Sequence, residues 1–170
     1  MYRLLKPLLI VVCIAIAAMW VYAFGFSSKE SVNKVGDVQW QQNAEKFCAQ
    51  GEFERMKLAD LRLVKESGTG ALAERANIVD KATLTLELAL DQIERLPIAD
   101  DKGRAIIPLW IADYRTYIED RREYADILRS GKNVPFAETQ IEGLPLSEKI
   151  STFAADNYIG SCKAPVDLSV

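Results

Sequence analysis

The chain begins with an apolar run, Leu8 to Phe26, that no charged, Pro, Asn or Gln residue interrupts. As a helix these residues would extend for about 30 Å, which matches the hydrocarbon thickness of a bilayer. Arg3 and Lys6 precede the run and no acidic residue does, so the positive-inside rule places the N-terminus in the cytoplasm. The pattern predicts that residues 1–26 are a single-pass anchor in the lipid bilayer of the cell membrane, with the rest of the chain extracytoplasmic.

A cleaved signal peptide is the alternative interpretation of this run. Signal peptides have an apolar core of about 7–15 residues that is followed by an Ala-x-Ala-like cleavage site. Here the core is longer and ends in bulky aromatic residues. The best small-residue match, Ala15-Ile16-Ala17, lies within the run, and Ala23-Phe24-Gly25 is a weaker match in the right place. The sequence therefore favours an uncleaved anchor.

Beyond a polar linker at residues 27–37, apolar residues recur at the three- and four-residue steps of helices. The second of these helices has an apolar surface wide enough to need more than one neighbour. Asp37 and Ser147 are predicted N-caps of the first and the last. The predicted helices cover residues 38–65, 71–96, 107–130 and 147–158. The sequence thus predicts an all-α fold, in which the transmembrane helix is followed by an extracytoplasmic bundle of three long helices and one short helix within residues 38–170.

Two local features are less regular than the helices around them. Gly51 weakens the first helix and is a candidate position for a kink. The segment 132–146 contains Pro135, Gly143 and Pro145, which is typical of a loop, and its residues 136–142 are alternatively a small extended excursion or hairpin.

Composition narrows the classes of function. Outside the span, 24 acidic residues stand against 19 of the 21 basic residues, a net charge of −5. Phosphate binding requires a basic surface, so this balance argues against a nucleic-acid partner. The absence of histidine excludes a Ser–His–Asp triad, a Cys–His dyad, an HExxH zinc site and a CxxCH haem site within the chain. The sequence also has no Gly-x-Ser-x-Gly nucleophile motif and no Walker A or Gly-x-Gly-x-x-Gly phosphate-binding motif. We therefore predict no catalytic residue, cofactor or metal.

Two cysteines lie outside the span, Cys48 in the first predicted helix and Cys162 after the last. In an oxidising extracytoplasmic compartment such a pair indicates a disulfide. The bond would contribute about 4–5 kcal/mol in the chain-entropy model, because it closes a long loop. Two free thiols and a redox pair are the alternatives, although redox pairs usually have a Cys-x-x-Cys spacing. Cys13 is predicted to be a small apolar residue of the span.

Carboxylates recur on the second and third predicted helices. Two helices that both contribute acids are one way to build a di-metal site, but the usual Glu-x-x-His pattern is missing. A pair of carboxylates would also serve glycoside hydrolysis, and no spacing here selects such a pair. Arginines are interspersed among the acids, so the pattern favours ion pairs on a solvated face. The acids concerned are Glu87, Asp91, Glu94, Asp113, Glu119, Asp120 and Glu123.

The third predicted helix is dense in Trp, Tyr and Arg, the residue types that supply most anchors of protein interfaces. We therefore predict that it contacts a partner. The predicted contact residues are Trp110, Tyr114, Arg115, Tyr117 and Arg121. An aromatic stripe at this spacing is alternatively part of the core, or the lining of a pocket for a sugar or a quinone.

Three blocks of the chain resemble a family of small actinobacterial membrane-anchored extracytoplasmic proteins. The blocks are FCAQGEFERMKLADLRLVKES, ADDKGRAIIPLWIADYRTYIEDRREYADIL and ISTFAADNYIGSCKAPVDL, and the resemblance extends over residues 47–168. It implies a helical envelope domain with one bridge, which fits Cys48 and Cys162, and it supplies no catalytic residue. The chain also resembles the accessory subunit of the actinobacterial cytochrome bc–cytochrome oxidase supercomplex, which implies cytochrome bc and cytochrome oxidase subunits as partners.

The sequence therefore predicts a non-catalytic accessory or scaffolding subunit that binds other membrane protein subunits. The first alternative is a membrane-anchored extracytoplasmic ligand-binding module, with the ligand among Trp110, Tyr114 and Tyr117. The second alternative is a hydrolase that uses carboxylates such as Asp113 and Glu119.

Overall fold

The computed structural model of the chain describes residues 2–26, 31–58 and 70–168. It divides into two compact units, Met1–Val32 and Asn33–Val170. The described residues are mostly helical and include one short two-stranded hairpin. This confirms the predicted predominance of helix and the predicted N-terminal apolar helix.

The first unit contains helix α1, Tyr2–Gly25. Its segment Pro7–Gly25 has a mean hydropathy of 2.5, and it is long and apolar enough to cross a membrane. A signal sequence would satisfy the same criteria of length and composition. The side chains of this segment are exposed throughout, and the rings of Trp20 and Phe24 stack with their centroids 5.1 Å apart.

The second unit, which we call the helical domain, contains four α-helices and a short 3-10 turn within its described residues. Helix α3 packs against both α2 and α4, α5 packs against α4, and the 3-10 turn contacts α2 and α5. Helix α3 therefore has two neighbours, as its sequence predicts, but Leu84 and Leu88, which widen its apolar surface, remain exposed. The elements are α2 Val38–Met56, α3 Ala71–Glu94, α4 Asp101–Arg129, α5 Leu146–Asp156 and the 3-10 turn Gly160–Cys162.

An aromatic cluster occupies the centre of the helical domain. The ring of Trp110 stacks on that of Phe153 at 5.1 Å and meets that of Trp40 edge-on at 6.2 Å. Helix α2 approaches α3 closely at Gly51, where a Cβ atom would lie 3.0 Å from the carbonyl oxygen of Thr85. Gly51 thus lies inside a continuous α2 and permits close packing there.

Asp37 caps α2 as predicted and also fixes a second segment. One carboxylate oxygen accepts a hydrogen bond from the Trp40 N–H at 2.9 Å, and the other accepts from the Ala99 N–H at 2.8 Å. These backbone hydrogen bonds, with that from Ala99 the strongest, lower the pKa of Asp37. A single side chain therefore ties the start of α2 to the segment that precedes α4.

Replacing Asp37 by Ala is expected to lower the free energy of unfolding by about 1–2 kcal/mol at pH 7, since the N-cap acceptor is lost. Asp37→Asn retains one acceptor and should cost less. Because the pKa is lower in the folded state, the carboxylate stabilises the domain above its unfolded-state pKa of about 3.9. That contribution is lost as the pH falls through the folded-state pKa. Denaturant titrations of wild type and both variants between pH 7 and pH 3 test this, and equal midpoints at pH 7 would contradict it.

The predicted linker is shorter in the structure than in the sequence-based interpretation. Residues 33–37 belong to the helical domain, and Val35 is buried. The Val35 N–H donates to the side-chain oxygen of Asn157 at 2.7 Å, and the Asn157 amide donates to the Asn33 carbonyl at 2.9 Å. A partner more than 120 residues away orders this segment, which is why its polar composition was misleading. The earlier part of the linker, residues 27–30, lies outside the described residues.

Two helix starts and one helix end differ from the prediction. Helix α4 begins at Asp101 rather than near residue 107, because the Asp100 carboxylate accepts from the Gly103 N–H at 2.7 Å and caps a turn that resembles a loop in composition. Ser147 is not the cap of α5, which begins at Leu146. Helix α2 ends at Met56, and residues 59–65 of the predicted helix lie outside the described part of the chain.

The segment before α5 forms a hairpin, which was the alternative prediction for residues 136–142. The hairpin lies a few residues later than predicted, closer to α5. Strand β1, Gln140–Ile141, pairs antiparallel with β2, Leu144–Pro145. Both intervening residues have positive φ, 54° at Glu142 and 83° at Gly143, as a tight hairpin turn requires. The Glu138 carboxylate accepts from the N–H and hydroxyl of Ser147, which joins the hairpin to the first turn of α5.

Candidate interaction surfaces

The aromatic face of α4 binds an extended segment of the same chain, residues 163–168, which we call the strap. The Tyr114 hydroxyl donates to the carbonyl oxygen of Lys163 at 3.3 Å. One turn further along α4, the Tyr117 hydroxyl donates to the carbonyl oxygen of Pro165 at 3.0 Å. The strap follows directly after Cys162, so its first residue is held close to the disulfide.

A buried ion pair fixes the far end of the strap. The Arg121 guanidinium donates to both carboxylate oxygens of Asp167, at 2.7 and 2.8 Å, and its Nε donates to the Thr83 hydroxyl at 3.0 Å. Thr83 in turn donates to the Val79 carbonyl within α3. Arg121 is fully buried, whereas the Asp167 side chain is 31% exposed. The pair therefore joins α3, α4 and the strap.

The spacing of these contacts follows from the helical geometry of α4. The donors on α4 are three and four residues apart, which keeps them on one side of a helix over a rise of about 10 Å. On the strap, Lys163 and Pro165 accept through carbonyl oxygens two residues apart, and Asp167 accepts through its carboxylate at the turn that follows. Lys163, Pro165 and Asp167 were not singled out from the sequence. No alternation of buried and exposed residues marks them, since Val166, between Pro165 and Asp167, is 82% exposed.

Burial sets the ionisation of this face. It raises the pKa of Tyr114 and Tyr117, so both hydroxyls remain neutral donors. For Arg121, burial alone would lower the pKa, but the hydrogen bonds and the charge of Asp167 outweigh it and the pKa is raised. Arg121 therefore stays cationic, and α4 holds the strap through two neutral hydrogen bonds and one charged pair, while the Ala164 N–H donates to the Ser151 hydroxyl of α5 at 3.2 Å.

Four of the five predicted contact residues belong to the core of the helical domain. Trp110, Tyr114, Tyr117 and Arg121 are at most 3% exposed, and the Trp110 indole N–H donates to the Ile150 carbonyl at 3.3 Å. In this structure they contact α5 and the strap and offer no surface to a partner, which corrects the predicted interface. Arg115 alone lies near the surface, and it is paired with acids of α3.

The carboxylates of α3 and α4 form ion pairs across the surface of the domain. Arg115 bonds Asp91 at 2.5 Å and Glu94 at 2.8 Å, and Arg122 bonds Glu87. Asp113 accepts from Lys149 of α5 at 2.7 Å. This agrees with the predicted paired, solvated face. Among the described residues, no three His, Cys, Asp or Glu side chains are arranged to hold a metal ion.

The predicted disulfide is present and borders a small cleft. Cys48 and Cys162 are bonded with their Cα atoms 5.0 Å apart, and Cys13 is a free, exposed thiol. The cleft beside the bond is lined by apolar residues of α3 together with Arg55, Trp110 and Tyr114. Its free space is of the order of one water molecule. Trp110 and Tyr114 thus share a cleft, as the ligand-binding alternative requires, but its present size does not accommodate a sugar or a quinone.

Two patches of exposed apolar residues lie on the outer sides of α3 and α4. Leu84 and Leu88, 48% and 53% exposed, are one turn apart on α3, and we call them the α3 leucine pair. The other patch, the α4 outer stripe, lies on the side of α4 away from the strap. Its members, all exposed, are Ala105, Pro108, Leu109 and Ala112. These patches are accessible to other proteins, unlike the aromatic face, and so is an apolar pair on α2, Phe53 and Met56.

Compared with known proteins, the chain matches no family model, no curated protein and no solved structure.

Proposed function

We propose that this chain is a non-catalytic accessory subunit of a membrane protein complex. In this proposal α1 is an uncleaved single-pass anchor with its N-terminus in the cytoplasm, and the helical domain is extracytoplasmic. The observation that carries the proposal is the complete exposure of the apolar segment Pro7–Gly25. Leaving a Leu, Ile, Val or Phe side chain in water costs about 1.5–3 kcal/mol relative to burying it, so lipid or other membrane helices must cover this segment.

The disulfide supports the extracytoplasmic location of the helical domain. Bonds such as Cys48–Cys162 form and persist in oxidising compartments and are rare in the cytoplasm. The two basic residues before the span, Arg3 and Lys6, support the same orientation through the positive-inside rule.

The distribution of polar groups supports an accessory role rather than a chemical one. The hydroxyls of Tyr114 and Tyr117 and the guanidinium of Arg121 are used to hold the strap. On the surface of α3, the α3 leucine pair is an apolar site among exposed polar residues such as Lys81 and Gln92. Neighbouring exposed leucines on one helix suit contact with the apolar face of another subunit.

For the partners we propose membrane protein subunits of a respiratory supercomplex, among them cytochrome bc and cytochrome oxidase subunits. The support for this step is the resemblance of the three sequence blocks quoted above. The chain itself carries no electron in this proposal. Its role is to brace or cap the assembly at its extracytoplasmic face.

Mild-detergent extraction tests the proposal directly. The tagged full-length chain is expected to co-purify with other membrane subunits, which mass spectrometry identifies. Leu88→Asp should reduce their recovery about tenfold or more, because it places a charge where the proposed contact would bury a leucine.

Leu144→Asp is the matched control, since Leu144 has the same exposure, 55%, but lies in the hairpin. It should leave the recovery of partner subunits unchanged. A wild-type chain that leaves the membrane without other subunits would overturn the proposal. Equal losses in both variants would show that the α3 leucine pair is not the docking surface.

A further inference from the structure

The α4 outer stripe extends over two helical turns, whereas the α3 leucine pair covers only one. Ala105, Pro108, Leu109 and Ala112 have the spacing i, i+3, i+4 and i+7, which places them on one side of the helix over two turns. Leu109 is 63% exposed and stands between smaller side chains. The stripe therefore presents one bulky residue with small residues on both sides.

Opposite charges flank the stripe at its two ends. At one end of the stripe, Lys102 stands beside Asp101, whose carboxylate is paired with Arg104 of the same turn. At the other end, Glu119 and Glu123 follow the stripe. Lys102, Glu119 and Glu123 are exposed on the outer side of α4. Because Arg104 offsets the charge of Asp101, the outer side has a net basic turn, an apolar centre and an acidic turn, and this order becomes complementary to itself when it is reversed.

We infer that two copies of this chain associate through the α4 outer stripe, with their α4 helices antiparallel about a two-fold axis. In such a contact, residue i of one copy faces residue j of the other, and j faces i. An axis between Leu109 and Ala112 sets the large side chain of each copy against the small one of the second copy. It also brings each Lys102 end toward the Glu119–Glu123 turn of the second copy.

Charge selects this orientation over the parallel one. A parallel pair would place Lys102 beside Lys102 and the two acidic turns beside each other, and like charges at close range are unfavourable. The antiparallel pair replaces both repulsions with attractions at the edges of an apolar centre. A second copy is therefore a better fit to the stripe than a helix without this charge order.

The size of the stripe indicates where the association occurs. One helix face buries a few hundred Å² per copy, which is below the roughly 1,200 Å² total of stable soluble complexes. An anchor confines both copies to one plane and so raises their effective concentration. The inference thus rests on the membrane anchorage proposed above, but not on the identity of any partner, and it concerns the full-length chain in its membrane.

Cysteine cross-linking at the two-fold axis tests the inference. In a Cys13→Ser background, Ala112→Cys is placed next to the axis, and Gln92→Cys, exposed on α3, is the matched control. Mild oxidation of membranes should cross-link Ala112→Cys into a disulfide dimer, with about tenfold less dimer for the control. Adding Leu109→Asp should reduce the yield of dimer about tenfold, because the inferred contact would bury the leucine that is replaced. Circular dichroism checks that Leu109→Asp leaves the helical content intact.

Charge reversal provides the second arm of the test. Lys102→Glu alone and Glu119→Lys with Glu123→Lys should each lower the dimer yield several-fold, and all three changes together should restore it. Failure to restore it would overturn the antiparallel pairing. A cross-link from Ala112→Cys to a different protein would overturn self-association and assign the stripe to that protein. The proposed function does not require the stripe. If membrane subunits still co-purify with the Leu109→Asp chain, failure of self-association leaves the proposed function intact.

Discussion

Removing the Cys48–Cys162 bond with the double substitution Cys48→Ser and Cys162→Ser is expected to lower the free energy of unfolding of the helical domain by about 4 kcal/mol. The bond joins residues 114 apart, so it removes a large share of the conformational freedom of the unfolded chain. It also fixes the residue that precedes the strap. Denaturant unfolding of the detergent-solubilised chain, followed by tryptophan fluorescence, measures the change.

Cys13→Ser is the control for this experiment, since Cys13 is not bonded. It should unfold at the wild-type denaturant concentration, and a reducing agent should shift the wild type toward the double variant. Unfolding of the double variant at the wild-type midpoint would show that the bond contributes little. Retention of stability after reduction would lead to the same conclusion by an independent route.

The second large effect is expected at the buried end of the strap. Asp167→Ala leaves the Arg121 guanidinium buried without its counter-ion, and breaking a buried pair in this way costs about 3–5 kcal/mol. The partial exposure of Asp167 and the remaining bond to Thr83 place the expected loss near the lower limit, about 3 kcal/mol. Denaturant midpoints measure it.

Asp126→Ala is the matched control for Asp167→Ala. Asp126 is paired with Arg129 at 2.8 Å, but its side chain is 78% exposed, so the loss should stay below about 1 kcal/mol. Arg121→Met combined with Asp167→Leu removes both charges and should recover most of the stability. Equal losses at Asp126 and Asp167 would contradict the role assigned to the buried pair.

The local pattern of apolar and polar residues was sufficient to predict much of the fold. The limits of α3 and the capping of α2 by Asp37 follow from helical periodicity and from short-range hydrogen bonding. The disulfide was predictable because two cysteines lie outside the span. The early start of α4 was not, since the residues before Ile107 resemble a turn in composition and become helical once Asp100 caps them.

The candidate interface could not be located from residue types alone. Trp, Tyr and Arg anchor protein interfaces, but the same side chains serve a domain that binds its own extended segment. Contacts from α4 to the strap, between residues 46 to 49 apart, show that these side chains bind the chain's own segment. Helical periodicity carries no information at that separation. The α3 leucine pair and the α4 outer stripe consist mainly of Leu and Ala, which give a weak signal in a sequence.

The attachment of Asn33 and Val35 to Asn157 has a mechanical consequence. Tension applied through α1 reaches the domain at these residues, which the side chains of Asn157 and Asp156 hold. If the chain is pulled free from this point, at most about 15 residues can be drawn out, roughly 50 Å of extended chain, before Cys48 is reached. The force then acts on the covalent bond between Cys48 and Cys162, which transmits it to Cys162 and resists further unfolding.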